Sequence, residues 1–437
     1  MPKISIFNFN KDNIFFSGNN FFLLGVFFLP TALPISGLFL IVSILKSFNK
    51  KNYLSLNDKW NYPFYISFGL ILFSCINISL INKSKFLIQY DYSLVWLNLF
   101  NWIPFIILFC GFQSYLETHI QRINFSKFLV SGTIPVLFSF IFQKFFNWYG
   151  PHNTLYGLII WFQKPIIGNN GASGLFSNPN YAGIWLALVL PFSIYLFQKS
   201  KKITSRIITF LICIMISYSI FLTFSRNALL GFLITIIILY GLKRVLSNLI
   251  MICIPILILN FFTPIKNLFL SINFTDLLIV EKFMDLNFFL TPRIGIWQSA
   301  LSRIIERPFW GWGPSTFATL HIKNNTAFKI PIIIIPAKHS HNLPLELAHN
   351  FGIPLAIIVV ITFILLLIFS WKRIYGENNY FIVHQVNKIW FTSSLIIFAS
   401  HLTDITFYDG KINILIAILF AGLRCIINEK RIRSKDI

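Results

Sequence analysis

Long apolar runs recur along nearly the whole chain, and they limit its fold more than any other feature. Most runs contain about 16 to 25 residues, which is long enough for a helix to cross a hydrocarbon core of about 30 Å. Charged residues make up 11% of the chain, well below the roughly 25% that is typical of soluble domains. The sequence therefore predicts an all-α integral membrane protein.

Prolines near the start of the chain leave the number of spans open. Residues 13–48 form either two short helices that turn at Pro30 to Pro34 or one kinked helix, because proline interrupts helical hydrogen bonding. The total is about 12 transmembrane helices or, alternatively, 11, and we prefer 12. This first block is expected to be retained, since it lacks a signal-peptide cleavage pattern. The other predicted spans are 62–82, 94–112, 127–146, 180–198, 204–222, 226–242, 246–263, 352–371, 389–407 and 411–427.

Basic residues indicate how the helices are oriented. The net charge is +22, but the lysines and arginines lie in short loops between apolar runs and not on one polar domain. If the spans alternate, these loops fall on one side, which the positive-inside rule makes cytoplasmic. The distribution favours a role in orientation over nucleic-acid binding. The basic segments are 199–206, 243–244, 371–373 and 428–437.

A single membrane domain is predicted over residues 1–437. An N-terminal helix bundle (13–263) precedes a large periplasmic loop (264–351) with short amphipathic helices, and C-terminal helices (352–427) precede a basic cytoplasmic tail (428–437). The five cysteines lie within or at the ends of apolar runs without C-x-x-C pairing. They are therefore predicted to be buried, with no disulfide and no zinc site.

Asparagine and proline mark the start of one span on the external side. In GLFSNPNYAGIW, Asn178 and Asn180 flank Pro179. Asparagine is a favoured N-cap, and proline fits the first helical turn, where its missing N–H needs no partner. A well-formed helix start accounts for these residues, and its exposed amides could also contact an anion.

Two arginines are predicted at similar helix starts. Arg226 begins one of the spans, and Arg293 follows a predicted N-cap, Thr291, and Pro292. A cation opposes the helix dipole there unless an anion binds, although either arginine could instead pair with lipid headgroups. The second helix is predicted to be amphipathic, to lie at the membrane interface and to end at Pro308. Its predicted apolar face is Ile294, Trp297, Leu301, Ile304 and Ile305. Together these helix starts predict a site for a phosphate-like anion.

The passage KHSHNLPLELAHNFGIP is unusually polar for this chain. Pro344 suits the first turn of a short helix and Gly352 suits its end, so His339 and His341 are predicted on an ordered turn ahead of that helix. A neutral imidazole can take a proton from a hydroxyl as it attacks. Beside the two arginines, this chemistry predicts transfer onto a hydroxyl from a donor with a phosphate leaving group.

Two other interpretations of the histidines remain open. One is a metal site, in which His349 or Glu346 would add to the H-x-H pair, although no further ligand cluster stands out. The other is a set of interfacial histidines without a chemical role. His349 is expected to be structural, and neither a metal nor a cofactor is predicted.

Taken in order, four segments resemble signature segments of the O-antigen ligase and O-antigen polymerase (Wzy-type) superfamily of bacterial membrane glycosyltransferases. The segments are GLFSNPNYAG, TFSRNALLG, TPRIGIWQSALSRIIERPFWGWGPSTF and HSHNLPLELAHNFGIP, within residues 174–354. The resemblance implies a metal-independent enzyme of the bacterial inner membrane that takes a glycan from undecaprenyl pyrophosphate on the periplasmic face. The acceptor would be another glycan, a lipid A core or a protein, and a chain-length regulator is a candidate partner.

The resemblance also implies roles for individual residues. Arg226 and Arg293 would bind the pyrophosphate and stabilise the charge that develops on it, and His341 would orient or deprotonate the acceptor hydroxyl. His339 could share or take over that role, because the first residue of HSHN is also histidine. The site-supporting residues would be Asn178, Asn180 and Asn342.

An alternative function is that of a membrane transporter involved in inorganic carbon (bicarbonate) accumulation, which the same superfamily implies. A transporter is expected to carry ionisable residues or broken helices near mid-membrane, and usually repeated halves. Here the distinctive polar residues lie at one face, which favours surface chemistry on a lipid-linked substrate. Polymerase, ligase and protein-glycan transferase stay open within the enzyme class, because all three need the same leaving-group site.

Overall fold

The computed structural model describes residues 17–48, 58–80, 93–167, 171–245, 247, 286–318, 320, 337–376 and 381–429. Helices α1 to α8 are Gly18–Phe28, Leu33–Phe48, Tyr62–Leu80, Ser93–Phe112, His119–Phe145, Pro179–Lys199, Ile203–Leu222 and Arg226–Tyr240. Helices α9 to α13 are Leu286–Glu306, Leu343–Phe351, Ile353–Tyr375, Phe381–Ser400 and Gly410–Asn428. Between α5 and α6, strand β1 (His152–Thr154) pairs antiparallel with β2 (Ile159–Trp161).

Seven of the described helices are long and apolar enough to cross a membrane, namely α3 to α7, α11 and α13. Helices α1, α2 and α8 are also apolar but shorter. The prediction of an all-α, multi-pass membrane protein is therefore confirmed at this level. The predicted span 246–263 lies outside the described residues apart from residue 247, so the total of 12 stays a prediction.

The start of the described chain consists of two short helices and not of one kinked helix. Helix α1 ends before Pro30, and α2 begins at Leu33. The Ser36 hydroxyl donates to the carbonyl of Gly25 at 2.7 Å. A Cβ on Gly25 would lie 2.5 Å from the Leu40 side chain, so the absence of a side chain there lets the two helices pack closely.

Helix α6 lies at the centre of the bundle, with every residue from Ala182 to Tyr195 buried. It packs against α5, α7, α8 and α12. A Cβ on Gly183 would lie 2.8 Å from Ala228 of α8, and a Cβ on Gly231 would lie 2.8 Å from Ala187. Small residues on both helices therefore allow close approach. This packing brings the start of α6 beside the start of α8.

Polar contacts gather at the two ends of the bundle. At one end, which we call the site face, Asn180 near the start of α6 and His341 before α10 both contact Asp404, which follows α12. At the other end, the opposite face, Arg122 near the start of α5 pairs with Glu429, which follows α13. The starts of α8, α11 and α13 belong to the site face by their chain direction.

The predicted span 389–407 is wrong at both ends, because α12 already begins at Phe381. Helix α12 stops at Ser400, and residues 401–409, which we call the 401–409 loop, are not helical. The loop backbone is used by other elements, because the amide of Leu343 donates to the carbonyl of His401 at 2.8 Å and the Asn342 amide group donates to the carbonyl of Leu402 at 2.8 Å. These tertiary hydrogen bonds replace the helical ones that hydropathy alone would continue.

The predicted start of the amphipathic helix is also wrong. Helix α9 begins at Leu286 and runs through Thr291 and Pro292, so Arg293 lies about two turns inside the helix and not in its first turn. Pro292 lies in the second turn of this helix, where it removes one helical N–H donor. The helix ends at Glu306, two residues before Pro308, as predicted.

The apolar face of α9 differs from the predicted one. Of the predicted residues, Ile304 is buried, whereas Ile294, Leu301 and Ile305 are exposed. The buried side is formed instead by smaller and more polar residues, namely Ile296, Ser299, Ala300 and Arg303, together with Ile304. Packing against α10 selects this side.

Candidate functional site

The 401–409 loop joins the elements of the site face. His341 and Asn180 bond to Asp404, and Thr403 Oγ1 donates to Asn227 Oδ1 at 2.8 Å. Asn227 is the second residue of α8 and directly follows Arg226. The loop therefore holds the starts of α6 and α8 and the turn before α10 in one place.

His341 is paired with a buried carboxylate. Its Nδ1 lies 2.9 Å from Asp404 Oδ1. The Asp404 side chain is only 6% exposed, whereas that of His341 is 32% exposed. One ring nitrogen of His341 is thus occupied by the protein, and the ring remains open to a substrate.

Asp404 is held in its ionised form. Burial by itself raises the pKa of this carboxyl, but the hydrogen bond and the charge of His341, the amide of Ile405 and the charge of Arg293 together bring the pKa below its usual value of 3.8. An ionised carboxylate only accepts hydrogen bonds. Nδ1 of His341 therefore donates this hydrogen bond, and Nε2 is the ring nitrogen that is not bonded to Asp404.

His339 lies between His341 and Tyr408 and contacts the rings of both. The two imidazoles stack with ring centroids 4.5 Å apart, and the edge of Tyr408 meets His339 at 5.5 Å. Burial, followed by the charge of His341, lowers the pKa of His339 below 6.5. A neutral His339 is therefore favoured, and it presents an uncharged aromatic surface to His341.

Glu346 holds the turn that carries His339 and His341 through hydrogen bonds to Ser340, the residue between them. Its Oε2 accepts hydrogen bonds from the amide and the hydroxyl of Ser340, both at 2.9 Å. Its Oε1 accepts from the Tyr408 hydroxyl at 2.6 Å and from Asn350 Nδ2 at 3.2 Å. Four donors satisfy this buried carboxylate. Their effect is to tie the turn, α10 and the 401–409 loop together.

Arg226 and Arg293 lie within electrostatic range of each other on the site face, although they are far apart in the sequence. Their guanidinium groups are close enough to repel each other, and the charge of Arg293 also acts on Asp404. Arg226 is exposed and Arg293 is half-buried. Two cations held together at an accessible surface favour the binding of an anion with several charges.

All three asparagines lie at helix starts, as the sequence predicts for Asn178 and Asn180. Asn178 caps α6 and accepts from the amide of Asn180 at 2.8 Å, and Asn342 caps α10 by accepting from the amide of Leu345 at 3.0 Å. Asn180 has an additional contact, because its Nδ2 donates to Asp404 Oδ2 at 3.3 Å. Asn180 and Asn342 thus contact the 401–409 loop, whereas Asn178 is exposed.

His349, which the sequence analysis expects to be structural, is buried in α10. Its Nδ1 lies 3.0 Å from Asn350 Oδ1, and its ring packs edge-on against Phe317 at 5.2 Å. Across the described ranges, no group of three or more His, Cys, Asp or Glu side chains could hold a metal ion.

Asp404 is the residue that the sequence analysis missed. It was assigned to the interior of the span 389–407, in HLTDITFYDG. An acidic residue inside a predicted span is itself a signal of a functional or paired group. Its contact with His341, 63 positions earlier, required the folded structure.

The described part of the chain is therefore a multi-pass membrane protein with a His–Asp pair and two arginines at one face. Residues 211–360 match the family model described as O-antigen ligase (Wzy_C), a stretch that contains Arg226, Arg293 and His341. The match confirms the resemblance to the O-antigen ligase and polymerase superfamily over this region. It supports a role in cell-surface polysaccharide biosynthesis. No curated protein matches the chain.

Proposed function

We propose that the protein transfers a glycan from a polyprenyl-pyrophosphate carrier to a hydroxyl acceptor at the periplasmic face of the bacterial inner membrane. The observation that carries the proposal is the position of His341, held by Asp404 on the same face as the paired guanidinium groups of Arg226 and Arg293. One group is suited to remove a proton, and the other two are suited to hold a leaving pyrophosphate.

In the proposed step, the acceptor oxygen forms a bond to the anomeric carbon of the donor sugar. The bond between that carbon and the pyrophosphate oxygen breaks, and the leaving group keeps the electron pair. Arg226 and Arg293 stabilise the negative charge that results, while the hydroxyl proton moves to Nε2 of His341. Pyrophosphate is already a good leaving group, so positioning and charge stabilisation are sufficient chemistry.

Asp404 acts through His341 as a positioning residue. Its carboxylate fixes the Nδ1–H tautomer, so that Nε2 can accept a proton, and it stabilises the imidazolium that then forms. Asn180 bonds to the other carboxylate oxygen and limits rotation of the Asp404 side chain. His339 excludes water from one face of the His341 ring by stacking on it.

The test uses purified protein in lipid vesicles with an undecaprenyl-pyrophosphate glycan from the same cell. Products are resolved by chain length, with an added lipid A core or protein acceptor in parallel reactions. We expect His341→Ala to abolish transfer and His384→Ala to retain it. His384 lies in the first turn of α12, at the end of the bundle away from the site face, where its ring bonds to the carbonyl of Ile374.

The product pattern distinguishes the members of the enzyme class by the acceptor that receives the glycan. A ladder of longer lipid-linked chains identifies a polymerase, whereas transfer only onto the added acceptor identifies a ligase or a protein-glycan transferase. Full transfer by His341→Ala would contradict the proposed base. If no acceptor receives glycan and bicarbonate is taken up into the same vesicles, the protein is a transporter and not a glycosyltransferase.

A further inference from the structure

A short hairpin with an apolar tip projects between α5 and α6. We call residues 148–161 the apolar hairpin. At its tip, Leu155 and Leu158 are 55% and 68% exposed, and Tyr156 is fully exposed. Leu155 and Tyr156 also have positive φ angles of 50° and 54°, which non-glycine residues rarely adopt. Large apolar side chains are thus held outward, where contact with water is unfavourable.

The base of the apolar hairpin is held by a hydrogen bond to Thr31 and, through Gln163, is linked to Gly174. Trp161 Nε1 donates to the carbonyl of Thr31 at 2.8 Å, and the amide of Gly150 donates to the carbonyl of Gln163 at 3.0 Å. The amide of Gln163 in turn donates to the carbonyl of Gly174 at 3.1 Å. The exposure of the tip therefore belongs to an ordered hairpin.

The apolar hairpin continues a surface that faces lipid. Phe145 and Phe146 at the end of the span α5 are 61% and 67% exposed. Phe142 of the same helix meets Trp148 edge-on at 5.3 Å, and Trp148 packs on His152 of β1 at 4.9 Å. An unbroken row of rings thus leads from the lipid-facing side of α5 into the hairpin.

We propose that the apolar hairpin inserts its tip into the interfacial layer of the membrane leaflet on the site face, with phospholipid as its partner. Tryptophan and tyrosine favour this layer, and the exposed Lys164 beyond β2 suits the phosphate of a headgroup. A tip of three side chains is much smaller than the roughly 800 Å² per partner of a stable protein interface, which argues against a protein partner.

Insertion would set the depth of the neighbouring site. Gln163, two residues beyond the apolar hairpin and bonded to Gly150 of its base, donates to the carbonyl of Gly174, four positions before Asn178 at the start of α6. A tip fixed in the interface therefore holds the start of α6, and with it Asn180, at a constant distance from the headgroups. The inference rests on membrane insertion of the bundle and is independent of the proposed glycan transfer.

The test places the photoreactive amino acid p-benzoylphenylalanine, a close relative of tyrosine in shape, at position 156 of the full chain. The protein is irradiated in phospholipid vesicles, and adducts are identified by mass spectrometry. The same amino acid at position 145, in the lipid-facing end of α5, is the positive control. Position 201, an exposed lysine between α6 and α7 on the opposite face, is the negative control.

We expect a phospholipid adduct at positions 156 and 145 and none at position 201. Adding Leu155→Asp and Leu158→Asp should abolish the adduct at position 156, because aspartate strongly disfavours the apolar layer. A crosslink from position 156 to a second copy or to another part of the same chain would overturn the proposal. So would the absence of any adduct there while position 145 still reacts with lipid.

Discussion

His341 occupies an unusual backbone conformation, with a φ of 52°. Such a conformation persists only when the neighbouring structure compensates for its cost. The residues on either side supply that compensation, because Ser340 bonds to Glu346 and Asn342 bonds to the 401–409 loop. The local strain at His341 is therefore supported by two independent sets of hydrogen bonds.

Replacement of Asp404 by asparagine tests the pairing with His341. An asparagine amide could donate to Nδ1 and favour the opposite tautomer, so we expect Asp404→Asn to lower kcat by about 10²- to 10⁴-fold, the usual contribution of a general base. KM for the donor should stay close to that of the wild type, because Arg226 and Arg293 are unchanged. The measurement is steady-state transfer in vesicles.

Asp409→Asn is the matched control for that substitution. Asp409 is half-buried and caps α13 by accepting from the amides of Lys411 and Ile412. Asparagine caps a helix as well as aspartate does. Transfer by Asp409→Asn should therefore resemble that of the wild type, and an equal loss in both variants would point to a general structural effect.

Arg226→Ala and Arg293→Ala test the proposed pyrophosphate site. Each is expected to raise the activation free energy by about 2.7 to 4 kcal/mol, a loss of about a hundred- to a thousand-fold in rate, as for other contacts to a developing anion. Arg206→Ala in α7, where the arginine packs over Phe197, is the control and should retain transfer. Full activity of both site variants in folded protein would exclude the assigned role.

At the scale of elements, helix starts position the chemistry. The Asn342 side chain performs two tasks, since its Oδ1 caps α10 and its Nδ2 bonds to the 401–409 loop. Asn342→Ala is expected to destabilise the fold by about 0.5 to 2 kcal/mol, as loss of an N-cap does. Asn342→Asp keeps the cap and loses the bond to the 401–409 loop. The free energies of unfolding of the two variants, measured in mixed detergent micelles, therefore separate the stabilisation by the cap from that by the loop bond. Equal stability of all three proteins would refute the dual role.

The junction between α10 and α11 depends on one glycine. Gly352 has a φ of 96°, and a Cβ there would lie 2.1 Å from the carbonyl oxygen of Phe309. Gly352→Ala is therefore expected to destabilise the fold by more than about 1 kcal/mol, since it combines an unfavourable φ with a clash against backbone. Gly295→Ala in α9 has open space and should be neutral or stabilising by about 0.5 to 1 kcal/mol. The same unfolding measurement compares the two.

At the scale of the whole molecule, a buried ion pair links α5 to the end of α13 on the opposite face. The fully buried Arg122 bonds to Glu429, to Asn387 of α12 and to the carbonyl of Leu116. Glu429→Ala would leave this guanidinium without its counter-charge, and we expect a loss of about 3 to 5 kcal/mol in unfolding free energy. Glu306→Ala, which breaks the more exposed pair with Arg303, should cost about 0 to 1 kcal/mol. Similar losses in the two variants would contradict the importance of burial.

Most of the helical architecture could be predicted because it follows from local composition. An apolar run that enters a bilayer must satisfy its backbone hydrogen bonds within itself, so its identity as a helix does not depend on distant partners. Helix α6 begins at Pro179, one residue before the predicted span, and α13 covers the predicted span 411–427. The predicted start of α9 and the predicted end of α12 are wrong, because tertiary contacts there outweigh the local pattern of apolar and helix-capping residues.

The sequence by itself determined that the chain spans a membrane and that asparagine and proline at 178–180 begin a helix. It also determined that Arg226, Arg293 and the two histidines lie in segments that resemble those of one family. These properties depend on hydropathy and on short-range hydrogen bonds. Only the tertiary structure decided that Asp404 pairs with His341, and that the two arginines lie close together. The physical reason is that pairing energies depend on distance and burial, and the packing of α6, α8, α10 and α12 sets both.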